Sequence, residues 1–192
     1  MDSHARGVRR TRQGSTVNRR LAGGAARRGG ERFEDDVRRA HRPAGVYLRR
    51  TSPAYRMVMV GGKLTPVVEA DERGCPDFHG AYQGQAVAFE CKSTTEDRWE
   101  LKKLDPKQAA ALDEATAAGC RTGVLLRYDR LAQVYWLPWP ILRPYWIQQQ
   151  RGEARRGDAS MTPEDCGALG SRVVAYRWWE AAVKPLPTGV ST

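Results

Sequence analysis

The chain has 192 residues, with 32 Lys and Arg against 22 Asp and Glu, and 41% of it is hydrophobic, including six Trp. That supply of apolar side chains excludes a wholly disordered chain and suits one domain, and the absence of any apolar run near about 20 residues excludes a bilayer-crossing helix. The net charge of +10 points to a polyanionic partner rather than a membrane.

The charge is uneven: residues 1–32 hold nine Arg against Asp2 and Glu31, which is +7 of the total. Residues 1–28, with the pairs Arg19-Arg20 and Arg27-Arg28, show no hydrophobic period and read as a disordered basic arm for phosphates. A genome rich in arginine codons would produce the same excess. No apolar segment follows the arginines, so no secretory signal is predicted. Cys75, Cys91, Cys120 and Cys166 lack a C-x-x-C pair and have only His4, His41 and His79 for company. They are read as reduced thiols in a cytoplasmic protein.

From Glu31 the pattern becomes periodic. Phe33, Val37 and Ala40 form the stripe of an amphipathic helix that must stop before Pro43. Residues 45–48 suit a short strand, and residues 56–60 and 63–65, joined by Gly61-Gly62, suit a projecting hairpin within about 55–73. Residues 76–82 and 85–92 read as a second hairpin with Gln83-Gly84 at its tip. Asp105-Pro106 opens a helix that Gly119 closes, with Ala109 and Leu112 on its apolar side. Residues 122–128 and 133–137 suit two further strands. Pro138, Pro140 and Pro144 are predicted to end this run of strands. Residues 151–192 are then a loop-rich extension whose apolar segment, residues 173–179, docks back on a domain spanning 29–150.

If Gln83-Gly84 is a two-residue loop, Tyr82 faces Gln85 and Asp77 faces Glu90. Lys92 lies two residues further along that face. Two opposed carboxylates repel, and a divalent metal between them would remove the cost. Oxygen donors without His or Cys favour Mg2+, for which Mn2+ can substitute. The same Glu and Lys spacing also suits a solvated strand face. Glu34 could simply complement a helix dipole, Gln108 could complete a capping box with Asp105, and Asp77 could serve a turn after Pro76.

Pro76-Asp77 followed by Glu90-Cys91-Lys92 resembles the PD-(D/E)XK nuclease motif. The longer set Asp77-Phe78-His79-Gly80-Ala81-Tyr82, Gly84, Ala88 through Thr94, Trp99, Leu101, Leu104 and Gln108, with Arg28-Gly29 and Phe33-Glu34 upstream, resembles the RecU-type Holliday junction resolvases. The resemblance covers residues 28–137. It implies an α/β fold of the restriction-endonuclease-like kind, a mixed central sheet flanked by helices, and a homodimer that nicks four-way DNA junctions symmetrically. It implies metal ligation by Asp77, Glu90 and the Cys91 carbonyl, and catalytic roles for Glu34, Lys92 and Gln108. Water would attack in line and leave a 5′-phosphate and a 3′-hydroxyl. Arg19, Arg20, Arg27, Arg28, Arg32, Arg56, Lys63, Ser93 and Thr94 are the candidate DNA contacts. The chain departs from the family in lacking a histidine just before Gln108 and in a hairpin region that is Gly- and Val-rich. A nuclease for flaps, ends or duplex DNA, and a non-catalytic nucleic-acid binder, are the rival readings.

Overall fold

The computed structural model describes residues 29–40, 45–51, 55–68, 75–155 and 157–185. The predicted arm, with Arg19, Arg20, Arg27 and Arg28, lies outside them. Helix α1 occupies residues 29–39, and Phe33 and Val37 of its apolar stripe are fully buried. A six-stranded mixed sheet takes strands β1 (Val46–Arg50), β4 (Phe78–Tyr82), β5 (Gln85–Thr94), β7 (Arg121–Tyr128), β8 (Gln133–Pro138) and β10 (Ser171–Val173) in that spatial order. Only the β5–β7 pair is parallel. This is the predicted fold class.

Strand alternation splits the core between the two faces of the sheet. On one face Phe78, Val87, Phe89, Cys91, Leu125 and Trp136 pack with α1 and with α5 (Trp178–Ala182). On the other, Val124, Leu126, Tyr135 and Leu137 pack with α2 (Pro106–Ala117), α3 (Trp139–Gln150) and α4 (Pro163–Leu169). The six tryptophans are divided between these cores or packed against them.

The β4–β5 hairpin has the expected register, from Tyr82 opposite Gln85 to Phe78 opposite Phe89. Its loop needs positive φ at both positions, supplied by Gln83 at 50° and Gly84 at 76°, the geometry that matches the twist of the flanking strands. The other predicted hairpin is β2 (Tyr55–Val60) paired with β3 (Lys63–Val68) as a separate two-stranded sheet. Helix α2 begins as read: the Asp105 carboxylate accepts from Lys107 N at 2.8 Å and Gln108 Oε1 accepts from Asp105 N at 3.3 Å.

The region after residue 138 differs from the expectation. The run of strands ends at Pro138, but a helix follows at once: Pro138 precedes α3 and Pro140 sits in its first turn, where the amide has no intrahelical partner to lose. Pro144 lies inside the helix and removes one bond, which burial of Trp139, Ile141 and Leu142 offsets. Trp139 Nε1 donates to Asp113 Oδ1 at 2.7 Å and Trp146 Nε1 to the Leu104 carbonyl at 3.2 Å, tying α3 to the chain around α2. Beyond it, β9 (Ser160–Met161) pairs with β6 (Trp99–Glu100), Thr162 caps α4, and β10 completes the sheet. Residues 151–185 thus contribute to both cores. The apolar segment at 173–179 packs in two pieces, Val173 and the Trp178-Trp179 pair: Val174 turns outward between strand and helix, where Ala175 and Tyr176 take positive φ.

Gly123 is where the central strands approach most closely to a side chain. A Cβ there would lie 2.7 Å from the Leu137 carbonyl oxygen and 2.7 Å from the Trp136 ring, both fixed in the core. G123A is therefore expected to cost about 1–3 kcal/mol, read as a lower denaturant midpoint with an unchanged slope; an unaltered midpoint would show that β7 and β8 can separate freely.

Candidate active site

The β4–β5 register has its chemical consequence just beyond the last ladder pair. Asp77, one residue before β4, stands opposite Glu90 as its numbering requires, and the main chain holds it there: Thr51 N donates to the Asp77 carbonyl at 2.8 Å. Its carboxylate turns inward and Oδ2 accepts the Cys91 amide at 2.8 Å. A side chain thus takes an amide of β5 where β4 has ended. The Cys91 side chain belongs to the core beside Phe78 and Phe89, and burial pushes its thiol well up from the ordinary value.

Glu90 and Lys92 point to the opposite face of β5 from Cys91. Lys92 Nζ donates to Glu90 Oε2 at 3.1 Å and to Gln108 Oε1 at 2.8 Å, while Gln108 Nε2 donates to Glu90 Oε2 at 2.5 Å. Gln108 therefore completes the α2 cap and also bridges the acid and the ammonium.

Glu90 is fully buried, and only one of its oxygens is satisfied; Oε1 has no hydrogen-bond partner. Burial pushes its carboxyl up from 4.5 to about 8, against the pull of Lys92 and with the negative charge of Asp77 adding to the rise. A buried carboxylate with a free oxygen beside a second carboxylate is costly. That orphaned acceptor fits a hard cation. Among the described residues no three His, Cys, Asp or Glu side chains gather to hold a metal alone. A cation here would draw on Asp77, Glu90 and the Cys91 carbonyl and complete its shell with water or phosphate oxygens.

Glu34 reaches the same region from α1. Burial raises its carboxyl above the ordinary value, with Asp77 adding to the rise and Arg50 and Lys92 opposing it. Its ion pair is with Arg50 at the end of β1. Arg50 is the site neighbour that sequence reasoning missed. The signal was a strand ending in Arg49-Arg50 directly before the hairpin insertion, and only the β1–β4 register, which sets Arg50 opposite Phe78, shows that it meets α1 beside the motif.

The remaining candidates scatter. Arg32 is exposed on α1 and Lys63 is exposed at the tip of the β2–β3 hairpin. Arg56 lies in β2, which places its backbone alone. Ser93 is half-buried and faces away from Lys92, beside Gly29. Thr94 is 5% exposed, and its hydroxyl accepts from Glu96 N at 3.1 Å in the turn leaving β5. Trp99, Trp178 and Trp179 are core residues.

Comparison with known proteins adds an independent line. The family model for RecU, recombination protein U, matches residues 65–166. Two curated relatives from Limosilactobacillus reuteri, strain DSM 20016 and subspecies reuteri strain JCM 1112, each named Holliday junction resolvase RecU, are 32% identical over 77 residues. That stretch is 40% of this chain and 38% of each relative's length. The solved structure of Hjc, a Holliday junction resolvase from Archaeoglobus fulgidus, aligns over 72% of this chain and 93% of its own at 19% identity and a TM-score of 0.45. The family match covers more than half of the chain and contains Asp77, Glu90, Lys92 and Gln108, and on that ground the chain belongs to the RecU family.

Proposed function

We propose that this protein is a Mg2+-dependent, structure-selective endodeoxyribonuclease that resolves four-way DNA junctions by paired nicks, acting as a homodimer. The observation that carries this reading is the buried Glu90 carboxylate with its unpartnered Oε1, set between Asp77 and Lys92 inside the stretch that matches the RecU family. The names of the curated relatives support the choice of substrate.

Asp77, Glu90 and the Cys91 carbonyl would hold the cation, which when bound supplies Lewis acidity at the scissile phosphate and makes water a stronger nucleophile. Asp77 is aimed by the Cys91 amide, so its carboxylate needs little reorganisation to bind. Lys92, half-buried, presents an ammonium to a phosphate oxygen or to the attacking water. Gln108 keeps that ammonium and the Glu90 carboxylate in fixed relation. Glu34 would accept a hydrogen bond from water on the α1 side, with Arg50 holding its charge in place. Water adds to phosphorus as the 3′-oxygen leaves, giving a 5′-phosphate and a 3′-hydroxyl. The exposed cations Arg32 and Lys63, together with the basic residues 1–28, would supply salt-sensitive affinity, whereas shape supplies selectivity. A second copy related by two-fold symmetry would bring two such sites to opposed strands.

Loss of even an outer partner of a metal site costs about 10–100-fold. D77N is therefore expected to lower junction cleavage by more than about 100-fold and Q108A by about 10–100-fold, with junction affinity in Ca2+ held within a few fold. Unimpaired cleavage by D77N would sink the site assignment.

A second expectation concerns stability without metal. Glu90 has a folded pKa raised to about 8 from 4.5, so between those values the folded chain keeps a proton that the unfolded chain releases. Its contribution is thus fully present below about pH 4.5 and is lost as pH rises through 8. In EDTA the Tm is expected to fall over that window. E90Q, uncharged throughout, should flatten the fall and exceed the parent at pH 8 by about 4 °C or more, and Mg2+ should raise the parent Tm at pH 8 but not that of E90Q. Parallel Tm profiles for the two proteins would contradict the environment assigned to Glu90.

A further inference from the structure

Helix α1 brings Glu34 to the site, yet little apolar surface holds the helix down. Among its described residues only Phe33 and Val37 are buried in the core, and a helix of this length is marginal unless tertiary contacts fix it. Two buried side chains hold a helix against a sheet, but they leave it free to slide or rotate by small amounts about their contact. Glu34 neighbours Phe33 on the helix and depends on that setting.

Arg127 adds a polar restraint along the helix. It sits on β7 opposite Ser93 of β5, and its side chain is 13% exposed. All three nitrogens of the guanidinium donate. Nε donates to Asp129 Oδ1 at 2.6 Å, Nη1 to Asp36 Oδ2 at 2.9 Å, and Nη2 to the Gly29 carbonyl at 3.3 Å. Its flat face lies over the Phe33 ring, 4.6 Å from the centroid. Gly29, Phe33 and Asp36 are at i, i+4 and i+7, one stripe of the helix, so a single rigid side chain grips α1 along nearly two turns. Asp129 follows Arg127 on the same chain segment and fixes the guanidinium plane. Tyr176, on the turn before α5, donates to Asp36 Oδ2 at 3.4 Å and packs its ring near Phe33 from the far side.

We infer that Arg127 is a positioning residue for the active site: by clamping Gly29, Phe33 and Asp36 it sets the rotation and axial register of α1 and thereby the placement of Glu34. The inference rests on the proposed role of Glu34. Arg127 itself faces away from Glu90 and Lys92, as Leu125 and Cys91 do, and touches no reacting atom. A planar fork with donors in three directions is needed; lysine, with one point charge, cannot reproduce it.

The test compares R127A, R127K, E34Q and the double variant R127A/E34Q in the full chain. The measurements are junction cleavage at saturating DNA, the Mg2+ concentration giving half-maximal rate, junction affinity in Ca2+, and amide exchange over residues 29–39. Both Arg127 variants are expected to lower kcat by about 10–100-fold, the cost of misplacing a group by about an ångström, and to raise the half-maximal Mg2+ concentration. Exchange over 29–39 should accelerate while β5 and β7 stay protected, and junction affinity should hold within a few fold. The double variant should be no slower than E34Q alone, because both lesions remove one contribution. Normal kcat in R127A despite faster exchange over α1 would overturn the inference, as would a double variant slower than E34Q by the full R127A factor. Full activity in E34Q would overturn it through the Glu34 assignment, and the exchange data would still report the clamp separately. D36N removes one arm of the fork while leaving Phe33 and Val37 in the core; it carries the same comparison if R127A does not fold.

Discussion

Gln83 and Gly84 turn the chain back with both φ angles positive, and this two-residue loop decides which side chains meet at the far end of the hairpin. The period of a strand is two, so a shift of one residue in β4–β5 pairing would send Glu90 and Lys92 into the Phe89 face of the sheet and Cys91 toward α2. The aromatic packing forbids that slip. Phe78 and Phe89 stack at 5.3 Å, and Phe89 meets Trp136 and Trp178 within the same core. Hydrophobic registration therefore pins a polar constellation, and Asp77, held by Thr51 and Cys91 one residue before its strand begins, is aimed by backbone bonds rather than by its own packing.

The site joins parts with different tolerances. Glu90 and Lys92 ride on β5, an interior strand paired on both sides, and Gln108 is fixed by the helix cap that it completes, so this half is rigid by construction. Glu34 arrives on a helix whose buried contacts are Phe33 and Val37 and whose polar tethers include Arg127, Tyr176 and its own pair with Arg50, which comes from the edge strand β1. A carboxylate fully buried with a free oxygen is a destabilising feature in isolation; in the proposed reading a bound cation would offset that cost. The central strand thus carries the strain, and the periphery carries the adjustable groups.

Much of this was legible in the sequence because it is governed by local rules. The Gln83-Gly84 loop, the alternation of Val87, Phe89 and Cys91 against Glu90 and Lys92, and the Asp105-Pro106 start of α2 each express a short-range preference. Helix α3 escaped because three prolines read as breakers, and their harmless positions depend on where the helix begins. Strands β9 and β10 are two and three residues long and have no periodicity to detect; long-range pairing alone creates them. Arg50 and Arg127 escaped for a related reason: their partners lie 16 and up to 98 residues away in sequence, and arginine in a strand carries no signal of its acceptor.

The measurement that bears most directly on the account is cleavage of an end-labelled mobile four-way junction beside a duplex and a flap of the same sequence, in Mg2+ and in EDTA. The account predicts paired, symmetric nicks confined to the junction and absent in EDTA. Comparable cutting of duplex or flap would contradict junction selectivity, and tight junction binding without cleavage under Mg2+ or Mn2+ would contradict the assignment of a nuclease.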